Sequence, residues 1–264
     1  MEYILFYKIM LQLKLGVSFS KKFKNRRINM KITVFNGSPR ERKSNTHRIV
    51  DPLLEGARQA GAQTQEVFLA EHNINHCCGC FSCWTKTPGK CVINDDMSHL
   101  IDLFYESDYV GMATPVYGLF MTSILKKFNE RLLPTATPHI HKNEDGSCYH
   151  EERLHYPRFF MIANAGFPGE HNFDLFKAYM ASQNPVLEVY RNSGGVLEDW
   201  PNENVKKRIN EFYDALREAG KEMVKEGQVS EDIIESIHAE LISDHEFMAG
   251  VNQYWDEEME KGDL

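Results

Sequence analysis

The sequence predicts an α/β fold: a five-stranded parallel sheet with helices on both faces, continued by a C-terminal helical extension. Three observations carry this. From Met30 to about residue 200, short β-branched or aromatic runs alternate with stretches of helical periodicity. Strands separated by helices pair in parallel and need cover on both faces. From about residue 203 the chain reads as helix only, with no strand left to add. A chain of 264 residues, 42% hydrophobic and 26% charged, has the length and composition to bury a sizeable core.

The elements follow in order. "KITVF" (31–35) is a first strand ended by Asn36-Gly37. Residues 45–60 carry Ile49, Val50, Leu53, Leu54 and Ala57 at helical spacing, with Gly61 as the stop. "TQEVF" is the second strand. "NDDMSHLIDLFYES" opens with acidic residues that suit a helix N-terminus and continues as an amphipathic helix. "DYVGMA" (108–113) is the third strand, 121–133 a helix, "RFFMIA" (158–163) the fourth strand, 172–181 a helix, and "PVLEVY" (185–190) the fifth strand. The tail has helix breaks near Gly227 and Ser243, and apolar positions such as Val205, Ile209, Phe212, Leu216, Ile233, Ile234, Ile237 and Leu241. It is expected to pack on the sheet as a helical cap, or else to help form a dimer.

Residues 1–29 stand apart. Lys8 and Lys14 interrupt the apolar run well short of the ~20 residues a membrane span needs. Glu2 leads and "KKFKNRR" follows, the reverse of a secretory signal. The expectation is an N-terminal extension, disordered or produced by an upstream start, before a domain over 30–202 that carries a cysteine-rich insert at 76–94, with the helical extension at 203–264. The chain is therefore expected to be cytoplasmic. A formal net charge of -8 argues against general affinity for nucleic acid or an anionic membrane and leaves a small molecule as the default ligand.

In an open parallel sheet, ligands bind beyond the carboxyl ends of the strands. Three loops fall there. "NGSPRERKSNT" (36–46) joins strand to helix, so its amides and the helix dipole favour an anion. Gly37 lets the backbone approach closely; Ser38, Ser44 and Thr46 offer hydroxyls, Asn45 an amide and Arg40 a positive charge. The loop matches neither G-x-x-x-x-G-K-[ST] nor G-x-G-x-x-G, which counts against nucleotide hydrolysis and a dinucleotide-type site. "TPVYGLFMT" (114–122) combines a stiff turn with Tyr117 and Phe120, flat apolar surface suited to a planar heterocycle. "NAGFPGEHNF" (164–173) again joins Gly, Pro and aromatics.

These stretches, with "DDM" and "TPVYGLFMTSILKKFNER" in the same order, resemble the NAD(P)H-dependent FMN reductases of flavodoxin-like fold over roughly residues 30–195. With the cysteines added, the chain resembles their iron–sulfur flavoprotein branch. The resemblance implies a three-layer flavodoxin-like fold and an FMN-dependent oxidoreductase. It implies that Ser38, Arg40, Ser44, Asn45 and Thr46 hold the FMN phosphate, that Pro115, Val116, Tyr117 and Gly118 line the isoalloxazine ring, and that Asn164, Gly166 and Phe167 close the other side. No side chain is expected to act as catalytic acid or base, since the chemistry lies on the flavin. The long helical tail and the N-terminal arm depart from the family's pattern.

"HCCGCFSCWTKTPGKC" (76–91) holds five of the six cysteines. Adjacent Cys77 and Cys78 make a poor disulfide, and a reducing cytosol would not keep several. Structural zinc prefers two separated knuckles. The C-x-x-C-x-x-C run is similar to a bacterial ferredoxin motif, although Cys91 arrives seven residues late and without a following Pro. The iron–sulfur branch implies a [4Fe-4S] cluster on Cys77, Cys80, Cys83 and Cys91, with Cys78 and Cys148 as bystanders and His76 as a neighbour. Three readings stay open: an FMN and [4Fe-4S] electron-transfer enzyme; a cluster-free NAD(P)H reductase acting on quinones or flavins; and a flavodoxin-like carrier. NADH and NADPH are equally expected as donors. The expected partners are a small molecule or redox protein and, as a homodimer or higher oligomer, further copies of the chain.

Overall fold

The computed structural model describes residues 30–262. The expectations for residues 1–29 lie outside the described residues. The elements are β1 (Lys31–Asn36), α1 (Asn45–Gln59), β2 (Gln63–Phe68), α2 (Ser82–Thr85), α3 (Met97–Glu106), β3 (Tyr109–Tyr117), β4 (Phe120–Met121), α4 (Ser123–Glu130), β5 (Ala136–Lys142), β6 (Cys148–Glu152), β7 (Arg158–Asn164), α5 (Asp174–Met180), β8 (Leu187–Arg191), α6 (Glu203–Lys225), α7 (Glu231–His238) and α8 (Asp244–Lys261).

Five strands pair in parallel in the order β2-β1-β3-β7-β8, and β4 folds back antiparallel on the end of β3. This is the expected flavodoxin-like fold. The central strands are buried on both faces, as the near-continuous apolar runs require: β1 is buried from Ile32 onward, and β3 is buried from Tyr109 to Pro115 and emerges only at Val116 and Tyr117. Two hydrophobic cores result, one on each side of the sheet. The first sets α1 and α6 against Ile32, Val34, Phe160, Ile162 and Val189; the second sets α3, α4 and α5 against Phe35, Val110, Met112 and Met161. Phe35 and Phe128 stack in the second core with ring centroids 4.4 Å apart.

The tail is part of the first core. Along α6, Val205, Ile209, Phe212, Leu216, Ala219 and Met223 are buried, at the helical spacing the sequence shows. Glycine lets α6 and α1 touch backbone to backbone: a Cβ on Gly220 would meet Leu53 O at 2.1 Å, and one on Gly56 would meet Arg217 O at 1.9 Å. Behind α6, Arg191 at the end of β8 is buried and donates to the carbonyls of Ile237 and Ala239 that close α7. Burial pushes its guanidinium down to about 10, so it remains charged at neutral pH.

The two-stranded sheet of β5 and β6 was not expected from the sequence. It lies outside the main sheet, and β6 is solvent-exposed along its whole length. Among the described residues no helix is long and apolar enough to cross a membrane.

Candidate functional site

The loops after β1, β3 and β7 meet on one rim because these strands are adjacent and parallel. Side-chain and backbone bonds tie them together. Gly37 N donates to Ala113 O at 2.8 Å, and Thr122 Oγ1 donates to Gly37 O at 2.7 Å, joining the first loop to the second. A Cβ on Gly37 would fall 2.5 Å from Leu125 Cβ, so only glycine permits this approach to α4. Thr46 Oγ1 donates to Asn164 Oδ1 at 2.6 Å, joining the first loop to the third in a buried contact.

The first loop gathers buried polar groups. Ser38, Ser44, Asn45 and Thr46 are all buried. Ser44 is the N-cap of α1: its Oγ accepts from His47 N at 3.0 Å and donates to Glu41 O at 2.6 Å. Ser38 N donates to Asn36 Oδ1 at 2.8 Å, and Ser38 Oγ accepts from Arg40 N at 3.3 Å. Asn45 Oδ1, in the first turn of α1, is buried and has no hydrogen-bond partner among the described residues. A buried amide oxygen left in this state costs free energy, and a ligand hydroxyl would satisfy it. Arg40 reaches the other way, donating through Nη2 to Glu198 Oε1 at 2.8 Å on the surface.

The second and third loops are open where the first is closed. Pro115, Val116 and Tyr117 end β3; Gly118 and Leu119 both take positive φ, at 56° and 70°, and turn the chain into β4. Tyr117 is 51% exposed, and Phe167 across the rim is 74% exposed. Around Gly118 and Gly166 a Cβ would meet nothing within 4 Å, so flat ligand surface can lie directly on the backbone there. The third loop is braced: Asn172 Nδ2 donates to Pro168 O at 2.9 Å and Gly169 O at 2.7 Å, and Ser193 N donates to Phe167 O at 3.1 Å. The buried hydroxyls, an unsatisfied amide oxygen at a helix N-terminus and exposed aromatics beside bare backbone together fit a phosphorylated ligand with a polyol chain and a planar ring. FMN has that chemistry.

Sequence reasoning missed Asn36, Thr122, Asn172 and Ser193, which position the loops. Thr122 had a signal, as a cap residue directly before a helix; its Oγ1 accepts from Leu125 N at 3.2 Å.

The expected [4Fe-4S] cluster on Cys77, Cys80, Cys83 and Cys91 is overturned. Among the described residues, no group of three or more His, Cys, Asp or Glu side chains stands so that it could hold a metal ion. The expectation of an iron–sulfur, metal-binding protein falls with it. The cysteines do line one pocket together with Arg131 and Pro134, but at different depths. Cys83 is buried, Cys77 and Cys91 are half-buried, and Cys78 and Cys80 are exposed. The sulfurs of Cys80 and Cys91 have partners within the protein, and Cys83 is set apart by its depth. Hydrogen bonds from Ser82 and Cys78 lower the Cys80 thiol, burial pushes Cys83 up, and Arg131 Nη2 donates to Cys91 Sγ at 3.4 Å. A cubane needs four thiolates converging on one point, and spacing along the chain cannot guarantee that.

What organises this loop is an ion pair. Arg131 donates through Nη1 to Asp95 Oδ2 at 2.7 Å and through Nη2 to Asp95 Oδ1 at 2.9 Å, with both side chains essentially inaccessible. Nη1 also donates to Asn75 O at 2.7 Å, and Asn75 N donates to Asp95 Oδ2 at 2.9 Å, so both ends of the cysteine segment are held to α4. Burial acts to raise the Asp95 carboxyl, but the Arg131 and backbone hydrogen bonds outweigh it and hold it down at about 2.

Residues 30–144 match a family model described as NADPH-dependent FMN reductase. An iron–sulfur flavoprotein of Archaeoglobus fulgidus is 39% identical over 105 residues, 40% of this chain and 46% of that protein. The chain thus spans about half the length of this curated relative. The fold is similar to an FMN-dependent NADH-azoreductase of Bacillus anthracis, crystallised with FMN, at a TM-score of 0.54 and 14% identity, covering 74% of this chain and 100% of the other. It is also similar to an NAD(P)H:quinone oxidoreductase of Methanothermobacter marburgensis, at a TM-score of 0.52 and 14% identity, covering 74% and 97%. At such identities these likenesses speak for the fold alone.

Proposed function

We propose that the chain, similar over residues 30–144 to the NADPH-dependent FMN reductases and over part of its length to iron–sulfur flavoproteins, is an FMN-dependent NAD(P)H reductase of flavodoxin-like fold whose cysteines carry no metal. The observation that carries the assignment is Asn45 Oδ1, buried without a partner among the hydroxyls of Ser38, Ser44 and Thr46 at the start of α1. In this reading those residues and Arg40 hold the FMN phosphate and polyol chain, the latter satisfying Asn45. Arg40 gives up its exposed pairing with Glu198 at little cost, because such surface pairs contribute little. Pro115, Val116, Tyr117 and Gly118 lie along one side of the ring, and Asn164, Gly166 and Phe167 along the other.

When bound there, FMN supplies the capacity to take a hydride from NADH or NADPH and pass reducing equivalents to a quinone, a flavin or a similar acceptor. The chain's own work is to bind, orient and leave one ring edge accessible. No side chain is needed as acid or base. The exposed Tyr117, Leu119, Phe167 and Leu175 around the rim support a homodimer or higher oligomer in which a second copy walls the pocket. Six free cysteines suit a reducing, cytoplasmic setting.

Steady-state oxidation of NADH and NADPH by the FMN-loaded protein, with a soluble quinone as acceptor, tests the assignment. Turnover without any protein partner is expected. Stoichiometric FMN with no turnover on any quinone or flavin would replace the enzyme with an electron carrier.

A further inference from the structure

The edge strand β2 carries a carboxylate where its inner face calls for an apolar residue. Glu66 has a side chain only 9% exposed, packed between β1 and α1. Burying a carboxylate is costly unless its oxygens are bonded, and here both are. Asn36 Nδ2 donates to Glu66 Oε1 at 2.7 Å, and His47 Nδ1 donates to Glu66 Oε2 at 2.7 Å. The chain of contacts continues inward: Asn36, fully buried at the end of β1, accepts the Ser38 amide on its Oδ1 at 2.8 Å. The His47 amide in turn donates to Ser44 Oγ at 3.0 Å. Glu66 thus reaches both ends of the anion loop, Ser38 through Asn36 and Ser44 through His47.

We propose that Glu66 is a positioning residue for phosphate binding: by orienting Asn36 and His47 it sets the backbone at Ser38 and Ser44 before the ligand arrives. The inference rests on the FMN assignment above, with the phosphate in the 36–46 loop. Its value lies in the sign of the effect. As a bare charge, a carboxylate beside an anion site weakens binding, and removing it tightens the complex. As a positioning group it tightens binding, and removing it leaves the Asn36 amide and the loop unset. The charged groups facing Glu66 are His47 and Asp51 from α1 and Arg42 from the loop before it. Burial, with Asp51 nearby, holds the Glu66 carboxyl above its ordinary value, although the hydrogen bonds from Asn36 and His47 act to lower it.

Riboflavin lacks the phosphate, so the ratio of riboflavin to FMN dissociation constants isolates the loop from general effects on the fold. Wild type is expected to prefer FMN strongly. Glu66→Met, which keeps the bulk, is expected to reduce that preference about 10-fold, the worth of one charged hydrogen bond, with riboflavin affinity changed by less than about 3-fold. Glu66→Gln, which can still accept from Asn36, is expected to restore the ratio to within about 3-fold of wild type. Asn36→Ala breaks the same chain from its inner end and is expected to match Glu66→Met; it decides the matter should the Met variant not fold. An unchanged or increased preference for FMN in either breaking variant overturns the positioning role while the FMN assignment stands. A wild type that binds riboflavin as tightly as FMN overturns the phosphate loop itself, and this inference with it.

Discussion

Asn45→Ala should strengthen the empty protein and weaken the loaded one. The asparagine oxygen is buried without a partner, a state that costs about 1–3 kcal/mol. Alanine removes that penalty and is a better helix former by up to about 0.7 kcal/mol. Against this stands the small void left by the amide, about 1 kcal/mol. The net is a gain of roughly 1–2 kcal/mol, or about 2–8 °C in Tm for a domain of this size. With FMN the sign reverses, because the lost contact is one the ligand makes. A bond donated to this oxygen by a ligand hydroxyl is worth about 0.5–1.5 kcal/mol, a rise in the FMN dissociation constant of roughly 2- to 13-fold. Scanning calorimetry of the flavin-free protein and a fluorescence titration with FMN read the two effects separately. A lower Tm for the flavin-free variant, or an unchanged FMN affinity, would refute the reasoning.

Further outcomes follow from the packing and the cysteine segment. Gly220→Val drives two methyl groups and a Cβ into the Leu53 carbonyl, and neither backbone can yield easily; a loss of at least about 3 kcal/mol in urea denaturation is expected, and a neutral result would contradict the α1–α6 contact. Arg131→Met leaves Asp95 buried and unpaired and should cost about 3–5 kcal/mol, whereas wild-type retention of thermal stability would mean the pair is solvated. Because the folded Asp95 carboxyl sits at about 2, below its ordinary value of 3.8, it contributes stability that is complete above the ordinary value and is lost as pH falls toward 2; acid unfolding of wild type should show about 2 kcal/mol of this, absent in Asp95→Asn. Replacing Cys77, Cys80, Cys83 and Cys91 by serine should leave the flavin spectrum and iron content of anaerobically purified protein unchanged, and a loss of about four irons per chain would reinstate the cluster.

The sheet and its helices were legible because each rests on a local pattern. Strand "KITVF" and the apolar positions of 45–60 sit within a residue or two of β1 and α1, and the breaks read at Gly227 and Ser243 are the ends of α6 and the start of α8. β3 runs on to Tyr117, past the Thr-Pro that reads as a loop, because β4 folds back and pairs with its end. The hairpin of β5 and β6 has no alternation to find, since β6 buries nothing, although "NEDGS" between the strands is a turn signal. The three rim loops were found from Gly, Pro and polar residues after strands. The contacts that tie them together, Thr46 with Asn164 and Thr122 with Gly37, join residues 118 and 85 positions apart, and no local pattern encodes them. The cysteine segment failed for the same reason. Spacing says how close thiols are along the chain, whereas their depth and direction are set by the Asp95–Arg131 pair from another element.

The most direct test of the account is a titration of the purified, flavin-free chain with FMN, followed by flavin fluorescence and visible absorbance. One FMN per chain, bound with quenched fluorescence and weakened by Asn45→Ala, is the predicted result. No saturable binding would contradict it.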